Sequence, residues 1–181
     1  MSEEGPGEIQ LPVGCRAITG QAFAGLDIAI VASRYNARVV ERLLAGAVEE
    51  LESRRITRDA LTIVLVPGAW ELPYVCRRLA EAGGHHAVVA LGCVVRGETP
   101  HFDYVCAEAS RGITEASRDT GVPVTFGLLT VNTQEQAEAR AGGSAGNKGT
   151  EAAAAAVQAH RALQQLTRVP DKKGRRRASS N

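Results

Sequence analysis

Aromatic side chains are scarce in this 181-residue chain: Phe, Tyr and Trp together make up 4% of it, against 44% hydrophobic residues in all. The core must therefore be aliphatic, as expected of helices packed closely on a parallel sheet. Cys15, Cys76, Cys93 and Cys106 form no CxxC pair and no CxxC…HxxxH spacing. That argues against a metal or disulfide framework and fits reduced thiols in a cytoplasmic protein. Neither a Walker A loop nor a G-x-G-x-x-G after the first apolar run is present, which disfavours the commonest routes to nucleotide binding. No run approaches the roughly eighteen apolar residues of a membrane span. The opening MSEEGPGEIQ lacks the apolar stretch of a secretory signal.

Charge is also short overall, at a net +1, but it is unevenly placed. Residues 168–181 hold Arg168, Lys172, Lys173, Arg175, Arg176 and Arg177 against Asp171 alone. The length predicts one domain, with an N-terminal arm over 1–20, a folded domain over 21–167 and a basic tail over 168–181. The tail's composition predicts a disordered, solubilising end; the open alternative is a segment that binds nucleic acid or a partner enzyme.

What is present is a recurring alternation. Four short apolar runs, Asp27–Ala32, Leu61–Val66, Ala87–Gly92 and Val124–Thr130, are bounded by turn residues. They predict parallel strands covered on both faces. Helical stripes lie between and after them: Val39, Leu43, Leu44, Ala47, Val48 and Leu51; Tyr74, Val75, Leu79 and Ala82; Tyr104, Val105, Ala109, Ile113 and Ala116; and an alanine-rich final helix with Thr150 as its expected N-cap. The glycines at 142, 143 and 146 predict a kink between two helices. The order βαβαβαβα with an extra helix predicts a doubly wound α/β sandwich.

In such folds ligands bind outside the carboxyl ends of the strands, and three consecutive strand ends carry polar turns. The first reads Ser33-Arg34-Tyr35-Asn36. Its aromatic ring and amide suit a flat heterocycle, or Tyr35 merely packs and Asn36 caps the next helix. The second reads PGAWELP over 67–73, where Glu71 either complements a helix dipole or binds hydroxyls. The third, ALGCVVRGETPHFDY over 90–104, places His101 just after a glycine turn. A backbone turn can hold an anion there while imidazole handles protons near neutral pH. Phe126 reads locally as core and Arg140 as a solvated helix arginine.

Taken together, Arg34-Tyr35-Asn36, PGAWELP (67–73), ALGCVVRGETPHFDYV (90–105), PVTFGLLT (123–130), EQAEARAGG (135–143) and AGNKGTEAA (145–153) resemble the 6,7-dimethyl-8-ribityllumazine synthase family in order and spacing. The resemblance implies a three-layer flavodoxin-like α/β sandwich on a four-stranded parallel sheet. It also implies condensation of 5-amino-6-(D-ribitylamino)uracil with 3,4-dihydroxy-2-butanone 4-phosphate, releasing phosphate and water, with no metal and no organic cofactor. The sites would lie between neighbouring subunits of a pentamer.

By that resemblance Tyr35 stacks on the pyrimidine with Asn36 beside it, and Ala69, Trp70 and Glu71 meet the ribityl chain. Cys93, Val94 and Val95 hold the uracil edge through backbone groups. Gly97, Glu98 and Thr99 cradle the phosphate, by N–H groups since Glu98 itself would repel it, and His101 transfers protons. Phe126 and Arg140 arrive from the adjacent subunit, to cover the heterocycle and clamp the phosphate, with Lys148 assisting. Tyr35 stands where the family often has Phe or Trp, and Ser144 where many members have Lys. The short segment at 142–146 resembles members that assemble twelve pentamers into a hollow shell, and riboflavin synthase is the protein partner this resemblance suggests, with its enclosure left open. The competing readings are a non-catalytic flavin- or lumazine-binding protein and a shell-forming cargo protein of the same fold.

Overall fold

A computed structural model describes residues 25–167. Four strands, β1 (Ile28–Ser33), β2 (Leu61–Val66), β3 (Ala87–Val95) and β4 (Val124–Val131), form one sheet in the order β2-β1-β3-β4. All its pairings are parallel. Helices α1 (Ala37–Ser53), α2 (Leu72–Glu81), α3 (His101–Thr120), α4 (Gln134–Ala139) and α5 (Lys148–Thr167) complete the chain, with a two-stranded ribbon of β5 (Ala141–Gly143) and β6 (Gly146–Asn147) before the last helix. The expected arm (1–20), which includes Cys15, and the whole of the expected tail (168–181) lie outside the described residues.

Alternation along the strands builds the three layers. In β1, Ile28, Ile30 and Ala32 share one buried cluster with Val39, Leu43 and Leu51 of α1 and with Ala153, Ala156 and Val157 of α5. Ala29 and Val31 point the other way, into a cluster with Leu72, Cys76 and Ala80 of α2 and Ala109 and Ile113 of α3. A continuous apolar strand is the consequence of being covered on both sides, as β1 is along its whole length.

The edges depart from that expectation. In β2, Leu65 is 62% exposed and Ile63 is also open, although both register with buried residues of β1. In β4, Phe126 is 45% exposed. The flanking helices cover β1 and most of β3 but only part of each outer strand, and an apolar run reads the same whether or not it is covered.

Three local expectations are corrected. Tyr74 is 70% exposed and Tyr104 is also exposed. The buried stripe of α2 is instead Leu72, Cys76 and Ala80 at four-residue spacing. The expected helical kink at 142–146 is the antiparallel β5–β6 ribbon, turned by Gly142 and Gly146 at positive φ. Helix α5 starts at Lys148, and the Asn147 Oδ1, not Thr150, caps it by accepting from the N–H groups of Gly149 and Thr150 at 2.9 and 3.3 Å. The same Asn147 amide donates to the Arg42 carbonyl at 2.9 Å, fastening α5 to α1 where Gly46 and Gly149 let the helices close up.

Candidate active site

Chain order and sheet order diverge at β1: β2 lies on one side of it and β3 on the other. A crevice opens at the carboxyl ends of strands on either side of such a switch point. It is a cavity of about 410 Å³ whose walls include Tyr35, Asn36, Gly68, Trp70, Glu71 and His101. Ala69, Cys93, Val94 and Val95, also expected at this rim, line it too. Four segments from four parts of the chain thus meet at one rim.

Each wall has its own local cause. The N–H groups of Arg34 and Tyr35 donate to the Pro67 carbonyl, both at 3.3 Å, so the turns after β1 and β2 are tied together. Gly68 leaves room for the Tyr35 ring: a Cβ there would stand 3.2 Å from its Cδ2. Tyr35 is 72% exposed, so its face is available rather than packed at a strand end. Glu71 closes the PGAWELP turn by accepting from the Gly68 N–H at 2.9 Å through Oε2. That occupies one carboxylate oxygen locally and leaves the other for a ligand.

Asn36 sits at the N-cap position of α1 in the left-handed conformation (φ 57, ψ 43), but its side chain does not cap the helix. Its Nδ2 donates instead to the Cys93 carbonyl at 2.9 Å. The register explains why that carbonyl is free to accept. β1 pairs with β3 only as far as Ala32–Leu91, whereas β4 accompanies β3 to Val95–Val131. Residues 93–95 therefore form a ledge with one bare edge. In parallel pairing successive residues turn their backbone groups to opposite sides, so Val95 presents its N–H and C=O to the same side as Cys93. The Cys93 thiol points into the α1/α5 core, and burial pushes it up to about 11; it is not a nucleophile near neutral pH.

His101 opens α3 and is exposed, with no hydrogen-bond partner for its ring among the described residues. Gly97, Glu98 and Thr99 lie on the exposed turn between β3 and α3, next to this cavity but not in its wall. The sequence reading overlooked Arg96, whose guanidinium holds Asp103 by two bonds (2.6 and 3.1 Å) and lies 4.1 Å from the centroid of Phe102. The Arg-Gly run gave a signal, but no local pattern indicated its partners.

Phe126, Arg140 and Lys148 are elsewhere. They line a second cavity of about 600 Å³ along β4 and the start of α5, which shares no wall residue with the first. Arg140 ends α4, and its Nη1 donates to the Gln136 carbonyl at 3.3 Å. Lys148 pairs with Glu151 at 3.0 Å. Within one chain, the cavity with the histidine and the cavity with the arginine are separate places. Among the described residues no cluster of three or more His, Cys, Asp or Glu could hold a metal ion, and no helix is long and apolar enough to cross a membrane.

A family model described as 6,7-dimethyl-8-ribityllumazine synthase matches residues 25–164. A protein of that name from Desulfovibrio desulfuricans is 51% identical over 152 residues, 83% of this chain and 97% of its own length. One from Gemmatimonas aurantiaca is 53% identical over 134 residues, 74% of this chain and 82% of the relative. Another, from Salinibacter ruber, is 51% identical over 134 residues, 74% and 86% of the two chains.

Proposed function

The chain belongs to the 6,7-dimethyl-8-ribityllumazine synthase family, and from that premise we propose the following division of labour for its residues. The protein condenses 5-amino-6-(D-ribitylamino)uracil with 3,4-dihydroxy-2-butanone 4-phosphate to give 6,7-dimethyl-8-ribityllumazine, phosphate and water. The pyrimidine lies against the Tyr35 ring, with its polar edge on the 93–95 ledge beside Asn36. The ribityl chain runs along Ala69, Trp70 and Glu71. The phosphate sits against the N–H groups of the Gly97–Thr99 turn.

Imine formation, phosphate elimination and ring closure each move a proton, and an imidazole whose ordinary pKa is about 6.5 gives and takes protons near neutral pH. His101, exposed at the cavity wall and unencumbered by a partner, serves that role. Bringing the two substrates together supplies much of the remaining acceleration.

The observation that carries this reading is the separation of the two cavities. A histidine cavity without the arginine and an arginine cavity without the histidine make one site only when the β4 side of one copy meets the strand-end crevice of another. Phe126 then covers the exposed face of the heterocycle, and Arg140 clamps the phosphate with its planar fork. Lys148 lies beside them. Two different patches meeting in this way form a heterologous interface, which closes into a ring and not an isologous dimer. The ring is a pentamer in this reading, in the cytoplasm, and twelve pentamers form a shell able to enclose riboflavin synthase. A stable species near 95 kDa by light scattering, about five chains of 19.1 kDa, would reject the shell but keep the ring.

The test uses His101→Ala and Arg140→Ala. Each alone is expected to slow lumazine formation, Arg140→Ala chiefly by weakening the phosphate substrate and His101→Ala by slowing turnover. Co-assembled in equal amounts, the two chains should recover about one quarter of the wild-type sites, since half the crevices carry His101 and half of those meet an intact Arg140. Unchanged kinetics in both single variants would refute the roles. Mixed rings no better than their parents would refute the shared site.

A further inference from the structure

The turn that carries His101 has little to hold it. Gly97, Glu98, Thr99 and Pro100 are all exposed, a Cβ on Gly97 would meet nothing within 4 Å, and Pro100 gives α3 no side-chain cap. Against this stands Arg96, the first residue beyond β3. Its N–H donates to the Val131 carbonyl at 2.9 Å, extending the β3–β4 ladder by one bond. Its guanidinium then turns to three partners. Nη2 and Nη1 donate to the two oxygens of Asp103 at 2.6 and 3.1 Å, Nε donates to the Asn132 Oδ1 at 3.1 Å, and the planar group lies over the Phe102 ring. Phe102 and Asp103 are the two residues directly after His101.

We propose that Arg96 is a positioning residue that fixes the first turn of α3, and with it His101, against the rigid end of the sheet. The proposal rests on the reading of His101 as the proton-transfer group. Magnitudes favour positioning over stability as its purpose. An exposed ion pair contributes about 0–1 kcal/mol to folding, and both Arg96 and Asp103 are exposed. Displacing a reacting group by about 1 Å, in contrast, can cost about 100-fold in rate. The fork geometry matters here because two parallel bonds and a stacked ring fix orientation as well as distance, which a lysine ammonium cannot do.

The experiment measures lumazine formation by the assembled full chain at saturating substrates for Arg96→Gln, Arg96→Lys and Asp103→Asn, with thermal melting of each. Arg96→Gln and Asp103→Asn are expected to lower kcat about tenfold, and Arg96→Lys to recover only part of that loss. All three should melt close to the wild type. Placed on His101→Ala, Arg96→Gln should cost less than about twofold, because a residue that acts through His101 has nothing left to position. An unchanged kcat in Arg96→Gln overturns the proposal, as does a loss equally large on His101→Ala, which would mark a structural role. A wild-type chain that makes no lumazine overturns the functional reading itself; an active wild type with an indifferent Arg96 overturns this inference alone.

Discussion

The side chain of Asn36 and the backbone carbonyl of Cys93, 57 positions apart in sequence, are joined by a 2.9 Å hydrogen bond that ties the end of β1 to the ledge of β3. Asparagine suits both halves of the arrangement. It accepts the left-handed backbone better than most residues, and its amide supplies the donor that a carbonyl needs. Replacing it by aspartate would set an acceptor against an acceptor. Asn36→Asp should therefore weaken binding of the ribitylaminouracil more than Asn36→Ala does, with losses of about 1–3 kcal/mol from the orphaned or opposed group. Titration calorimetry with that substrate alone measures it. Equal affinity for wild type and Asn36→Asp would show that the bond does not shape the site.

Gly149 presses against the backbone of Leu43, where a Cβ would overlap the carbonyl oxygen. The neighbouring main chain cannot yield as a flexible side chain would. Alanine normally strengthens a helix, but at this crossing Gly149→Ala should destabilise the fold by about 3 kcal/mol as α5 is pushed off α1. For a domain of this size that corresponds to a melting point lower by about 10 °C. A variant that melts at or above the wild-type temperature would mean the two helices separate without penalty.

The opposite end of the sheet carries a pH dependence. His160 on α5 meets His86 edge to face, with ring centroids 5.0 Å apart, and its Nε2 is buried without a partner. Burial, reinforced by the neighbouring His86 and Arg161, holds its pKa below the usual 6.5. The unfolded chain therefore binds more protons than the folded one just below that value. The stabilising contribution is complete above pH 6.5 and is lost as the pH falls from there through the folded value. Between pH 7.5 and 5.5 the wild type should lose more melting temperature than His160→Gln. Parallel losses in the two proteins would assign the acid sensitivity to other groups.

Much of this was legible in the sequence, for identifiable reasons. The four strands announce themselves because β1 and most of β3 are buried on both faces, which leaves an unbroken apolar run. The strand-end clusters around Tyr35, Trp70 and His101 stand out because polar turn residues interrupt those runs, and the sheet order draws them to one crevice. What stayed hidden depends on distance in the chain or on position within the sheet. Nothing near Asn36 indicates a bond to Cys93, and nothing near Arg96 indicates Asn132. The phase of α2 is not evident in the sequence because Tyr74 looks apolar, yet the core selects the smaller Cys76 and Ala80. Phe126 and Leu65 look like core residues because side-chain chemistry does not record where the helices stop covering the sheet.

The unequal pairing of β3, released by β1 at Leu91 but kept by β4 to Val95, has a consequence for how the protein tolerates change. In the proposed site, recognition along this edge is written in amides and carbonyls, which every residue but one carries. Substitutions at 93–95 can thus alter volume and packing while leaving the message intact. Proline is the exception, since it deletes the donor itself. This edge is in that sense among the surfaces least exposed to ordinary mutation, and its character is stored in where a neighbouring strand stops.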